Sequence, residues 1–201
     1  MKRRLCLAGV LLPLLPRQAL ACGTLGAGQV VRGRFVQTRH LQGFPRPLVS
    51  HGRFVLSPDH GLIWEVETPF AVVTIMSPAG LVQQRQGAET FRLAADRLPF
   101  MSRLYAMLEG ALGGNWAALA ADFTIVRTGA ATDWQVTLTP KGPQSPSMPF
   151  RSIEARGGCL VDSVNLVKPA GDIDALAFSN QAVTTGPLSA AEAAMLAVLR
   201  P

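Results

Sequence analysis

From Gln29 onward, apolar side chains recur mostly at every second position, in short runs separated by Gly, Pro, Asp and Asn. The stretch VSHGRFVLSPDHGLIWEVETPF, residues 49–70, carries the pattern most clearly. Leu62, Trp64 and Val66 fall on one face, Glu65 and Glu67 on the other, and Ser57-Pro58-Asp59-His60-Gly61 supplies a turn. This predicts a hairpin with one apolar wall. The same alternation predicts strands over 30–40, 52–56, 62–67, 71–76, 80–86, 123–128, 133–139, 150–155, 160–167 and 174–179. The short connections suit antiparallel neighbours, hence a meander.

Between Leu93 and Asp122 the period lengthens. Leu98, Met101, Leu104, Tyr105 and Leu108 recur at three and four residues, and Trp116, Leu119 and Ala120 follow Gly113-Gly114. A helix pair is expected there, between two groups of strands. Ser189-Ala190-Ala191-Glu192 is a capping box that opens a last helix running through Leu199. The fold class is therefore mainly β with helices (α+β). An antiparallel sheet of about ten strands must cover its apolar face or close into a partial barrel.

The N-terminus belongs to a different class of segment. Met1-Lys2-Arg3-Arg4 is a basic start, Leu5 to Leu15 an apolar run broken by Pro13, and Ala19-Leu20-Ala21 an A-x-A cleavage signal. The run is too short to span a bilayer, so residues 1–21 are expected to be a signal peptide and 22–201 a single exported domain. Without Lys2, Arg3, Arg4 and Arg17, the 19 basic residues become 15 against 13 acidic ones, a net +2. That near-neutral balance gives no electrostatic case for nucleic acid. Cys6 leaves with the signal, so Cys22 and Cys159 remain as an even pair in an oxidising compartment, where a disulfide is the default. Acylation of Cys22 is the competing reading; Ala19-Leu20-Ala21 fits a lipobox poorly.

No catalytic constellation is legible. His40, His51 and His60 lie in or beside turns without metal-ligand spacing, and there is no G-x-S-x-G elbow or phosphate loop. Gly171-Asp172-Ile173-Asp174 reads as a hairpin turn rather than a calcium loop, whose further oxygen ligands are missing. The expectation is a protein that is not an enzyme and holds no metal or cofactor. The conspicuous residues are instead large and apolar: Phe35, Phe54, Trp64, Phe70, Phe91, Phe100, Met101, Met107 and Trp116. Each is either core or the lining of an adaptable cavity.

Read in order, Phe35-Val36-Gln37, the segment Leu41 to Pro47, Ser50-His51-Gly52-Arg53-Phe54, Gly61-Leu62-Ile63-Trp64 and Thr68-Pro69 resemble the LolA-type outer-membrane lipoprotein carriers, in their LolA-like branch. The strand Asp133 to Pro140 and the closing hairpin from Gly171 to Phe178 extend the resemblance over residues 29–180. It implies an unclosed antiparallel β-barrel, or strongly curved sheet, under a helical lid. It implies a periplasmic carrier whose apolar cavity takes the acyl chains of a lipoprotein or related lipidic cargo from an inner-membrane donor to an outer-membrane acceptor. On that basis the lining is expected from Phe35, Phe54, Leu62, Trp64, Val66, Val73 and Ile75 of the strands. The lid side is expected from Phe100, Met101, Leu104, Met107 and Leu108, in a monomer. Two features depart from the classical pattern: only Cys22 to Gly28 precede the first strand, and the turn before the Trp strand lacks the arginine those carriers keep there. The rival readings are a non-transport envelope module on the same barrel, such as a lipoprotein sensor or assembly factor, and an enzyme of lipid or polysaccharide metabolism.

Overall fold

The computed structural model describes residues 25–94, 105, 109, 110, 112, 116–142 and 150–199. Among these residues eleven strands form one antiparallel sheet. The first six are β1 (Gln29–His40), β2 (Leu48–Ser57), β3 (Gly61–Thr68), β4 (Val72–Ser77), β5 (Gly80–Arg85) and β6 (Ala88–Ala94). The other five are β7 (Phe123–Ala130), β8 (Asp133–Pro140), β9 (Ser152–Gly157), β10 (Val161–Val167) and β11 (Ile173–Thr185). Their spatial order is β6-β5-β4-β3-β2-β1-β11-β10-β9-β8-β7. Two meanders therefore share a seam, the β1/β11 pair, and the outer strands β6 and β7 do not pair with each other. The sheet is unclosed, as the resemblance implies.

Alternation fixes which side chains face inward. Across β1, β2 and β3 the direct partners are Val31, Leu56 and Leu62, then Gly33, Phe54 and Trp64, then Phe35, Gly52 and Val66. These pairs share one face. The main core gathers this face and the corresponding one of the other meander, including Trp134, Val136, Leu138 and Ile153, together with Tyr105, Leu112, Trp116 and Leu119 from the helical segment. Residues from strands far apart in the sheet order thus converge on one interior.

The opposite face has its own cover. The C-terminal helix (Ala190–Ala197) begins at a capping box: the Glu192 N–H donates to Ser189 Oγ, and the Ser189 N–H donates back to the Glu192 carboxylate at 2.7 Å. Leu196 and Leu199 then pack on Ile63, Ile75 and Val82. Arg32 ties the helix to β1, donating from Nε and Nη2 to the two Glu192 oxygens, each at 2.7 Å. Glu192 is held at about pKa 2, chiefly by that guanidinium and against partial burial, with Ser189 helping.

The predicted strands are present with shifted ends. The alternation does not predict β6, in which Leu93 and Ala94 are strand rather than the start of a helix. β11 continues to Thr185, beyond residue 179. Of the expected helix pair, Tyr105, Glu109, Gly110 and Leu112 are helical and Trp116–Leu119 form a 3-10 turn; the rest of the pair lies outside the described residues. So does the expected signal peptide.

Candidate ligand-binding face

Two glycines shape the inner face. A Cβ on Gly33 would stand 2.6 Å from the Phe54 ring, and one on Gly52 would stand 2.6 Å from the Phe35 ring and 2.0 Å from the Glu65 carbonyl oxygen. Each phenyl ring therefore reaches over the glycine of the neighbouring strand, in a slot only glycine leaves open. Trp64 of β3 stacks on Phe35 at 3.8 Å between centroids and 22° between planes. Phe178 of β11 meets Phe54 edge-on at 5.5 Å and Trp64 at 6.2 Å. Four strands thus contribute one aromatic platform. Phe35 and Phe54 are its buried base, whereas Trp64 and Phe178 are only partly buried.

The two ends of this face differ. Near the Ser57–Gly61 turn, Tyr105 packs into the main core with Leu56 and Leu62; it is buried, and its hydroxyl has no hydrogen-bond partner among the described residues. Burial pushes the Tyr105 phenol up, with the Glu109 and Asp59 carboxylates adding to the shift. Burial also raises the Glu109 carboxyl. His60 here bonds Ser57 Oγ at 3.0 Å, a turn contact.

At the other end, a groove of about 310 Å³ is lined by Gln37, Arg39, Ser50, Val66, Pro69 and Phe70 among others. Leu48, Val49 and Phe70, which also line it, are exposed. A larger hollow, about 460 Å³, lies on the outer face beside the C-terminal helix. Its charges are internally paired: Arg32 with Glu192, Arg53 with Glu65 at 2.8 Å, and Arg34 with Glu67 at 2.6 Å. The platform and its open end are the better candidate, because there apolar area and polar groups converge without cancelling.

Of the expected lining residues, Phe35, Phe54, Leu62, Trp64 and Val66 come together on the inner face. Val73 and Ile75 do not. Ile75 pairs with Ile63 and Val73 with Glu65, and both pack in the outer cluster beneath the C-terminal helix. The inner positions of β4 are Thr74 and Met76, opposite Trp64 and Leu62. Phe100, Met101, Leu104, Met107 and Leu108 lie outside the described residues, as does Cys22. Cys159, in the β9–β10 turn, is disulfide-bonded. Phe178 was not singled out as lining; the β1/β11 register, which sets it opposite Phe35, is what reveals it. Among the described residues no group of three His, Cys, Asp or Glu could hold a metal, and no helix is long and apolar enough to cross a membrane.

The family described as outer membrane lipoprotein carrier protein LolA-like matches residues 20–194. No curated protein matches the chain. Among solved structures, similarity extends to a LolA superfamily protein from Nitrosomonas europaea, at 9% identity over 84% of this chain and 92% of that one, TM-score 0.45. It extends also to a putative outer membrane lipoprotein-sorting protein domain from Vibrio parahaemolyticus, at 10% identity over 88% and 94%, TM-score 0.44. A chain of the Pseudomonas aeruginosa MucA/MucB complex is similar at 13% identity over 86% of this chain and 56% of its own length, TM-score 0.37.

Proposed function

The chain belongs to the outer membrane lipoprotein carrier protein LolA-like family, and from that membership we propose that it is a periplasmic binding protein that shelters the acyl chains of a lipoprotein or similar amphiphile. The observation that supports this reading is the aromatic platform of Phe35, Phe54, Trp64 and Phe178 on the inner face of an unclosed sheet. A hydrocarbon chain crossing water needs such a surface, since each sheltered CH₂ is worth about 0.8 kcal/mol. Stacked rings and Met76 supply area without length-specific hydrogen bonds, which suits pick-up and release better than a polar pocket does. In this reading the protein does no covalent chemistry, and cargo passes from an inner-membrane donor to an outer-membrane acceptor.

Native mass spectrometry of the protein purified from a periplasm, with extraction of what it carries, tests the reading. A co-purifying acylated molecule is expected. Trp64→Glu places a carboxylate on the partly buried rim of the platform, and it should lower uptake of a fluorescent fatty-acyl probe at least tenfold, a loss of about 1.4 kcal/mol. A clean protein mass together with unchanged probe uptake in a folded Trp64→Glu variant would move the assignment to a protein-interaction module on the same sheet.

A further inference from the structure

The apolar platform ends on a fixed cation. Phe35, Gln37 and Arg39 succeed one another on the inner face of β1, opposite Gly52, Ser50 and Leu48 of β2. Arg39 Nε donates to Asp174 Oδ1 at 3.0 Å, and Lys168 Nζ stands 3.0 Å from Asp174 Oδ2. Asp174 is 7% exposed, so its two oxygens are committed to orienting two cations. One positive charge is left over. In the turn that joins the two strands, Asp172 accepts the Gln42 backbone N–H at 2.8 Å.

Arg39 is anchored through Nε alone among the described residues, and its side chain is 42% exposed. Its two terminal amino groups thus remain available beside the groove of about 310 Å³, next to the Gln37 amide and the Ser50 hydroxyl. Val66, Pro69 and Phe70 give that groove apolar walls. A guanidinium held at Nε with its outer fork open is suited to two parallel bonds to a phosphate or carboxylate. Low-dielectric surroundings strengthen such bonds relative to water.

We propose that this groove is a subsite for an anionic group, phosphate or carboxylate, carried by the same amphiphile whose hydrocarbon lies over Phe35 and Trp64. The proposal rests on the carrier reading and narrows its ligand class to acidic amphiphiles. At about 3.3 Å per residue, Arg39 stands roughly 13 Å along the strand from Phe35. One extended molecule therefore reaches both, with its charged end toward the open rim and its chain over Phe35 and Trp64.

The experiment is titration of the protein with dodecyl phosphate, dodecyl maltoside and inorganic phosphate, the amphiphiles kept below their micellar concentrations. Dodecyl phosphate is expected to bind about tenfold tighter than the maltoside, and inorganic phosphate alone to bind far more weakly than either. Arg39→Gln, which leaves Lys168 on Asp174, should abolish the preference while leaving maltoside binding in place. Ser50→Asp puts a negative charge beside the open fork of Arg39 while leaving Arg39, Lys168 and Asp174 themselves unaltered, and it should do the same should the arginine variant fold poorly. Equal binding of the two amphiphiles by the unaltered protein, or a preference that survives in the folded variants, overturns the subsite and leaves the carrier reading standing. Inorganic phosphate binding as tightly as dodecyl phosphate would make the groove a small-anion site instead. Failure of both amphiphiles to bind removes the carrier reading and the subsite with it.

Discussion

Gly52 shows how a single position decides whether the platform exists. Its missing Cβ is where the Phe35 ring lies, and the nearest obstacle to a methyl group there is backbone, the Glu65 carbonyl oxygen at 2.0 Å. Gly33 faces mainly a side chain, the Phe54 ring at 2.6 Å. A ring can tilt where a paired strand cannot move without losing its ladder bonds. Gly52→Ala should therefore destabilise by about 1–3 kcal/mol, within the range for overpacked sites, and by more than Gly33→Ala. Urea unfolding of both variants checks the order, and a smaller loss at Gly52 would sink the explanation. The sequence displayed the large rings but not their seats. Phe35 and Phe54 stood out by size, whereas Gly33 and Gly52 looked like ordinary weak points in strands until cross-strand register placed a ring over each.

Among the elements, the C-terminal helix carries the clearest electrostatic dependence. Arg32 holds the Glu192 carboxyl well below its ordinary 4.5, at about 2. A carboxylate whose folded pKa is depressed stabilises the fold above the ordinary value, and that stability is lost as pH falls through the interval toward 2. Glu192→Gln keeps a side chain able to close the capping box but removes the charge. The variant should be less stable than the parent at pH 7, with the gap closing between about pH 4.5 and pH 2; thermal melts of both proteins across that range measure it. A gap unchanged at pH 2 would mean the ion pair contributes nothing. This helix was readable in advance because its start is written as a local signal, Ser189 to Glu192. Strand β4 was not readable in the same way. Val72, Val73, Ile75 and Met76 are apolar on both faces because the sheet is covered on both, so alternation gave no phase, and Val73 and Ile75 fell on the side opposite to expectation. β6 escaped for the reverse reason: as an edge strand it is largely exposed, and Glu89, Thr90 and Arg92 break its apolar run.

For the whole molecule, the question is what holds two meanders together beyond the β1/β11 seam. The main core is one contribution, since it includes Phe54 and Leu62 from one meander and Trp134 and Leu138 from the other. A covalent tie is a second. Cys159 sits in the β9–β10 turn and is disulfide-bonded, and the other cysteines of the chain are Cys6 and Cys22. Leu25, three residues after Cys22, already packs against the main core, and three extended residues reach about 10 Å. We expect Cys22 to be the partner, which ties the segment before β1 to a hairpin of the opposite meander. The two cysteines are 137 positions apart, 159 less 22. Closing a loop that long constrains the unfolded chain by about 4–5 kcal/mol. At about 2–4 °C per kcal/mol for a domain of this size, Cys22→Ser should lower Tm by about 10–15 °C. Thiol counting on the unreduced mature protein should find no reactive cysteine in the parent and one, Cys159, in the variant. Cys22 precedes β1 in the sequence and none of the four platform rings belongs to that segment, so acyl-probe uptake at low temperature should match the parent even as the melting point falls. A Cys22→Ser protein with unchanged Tm would show instead that the seam and the shared core suffice to join the two halves.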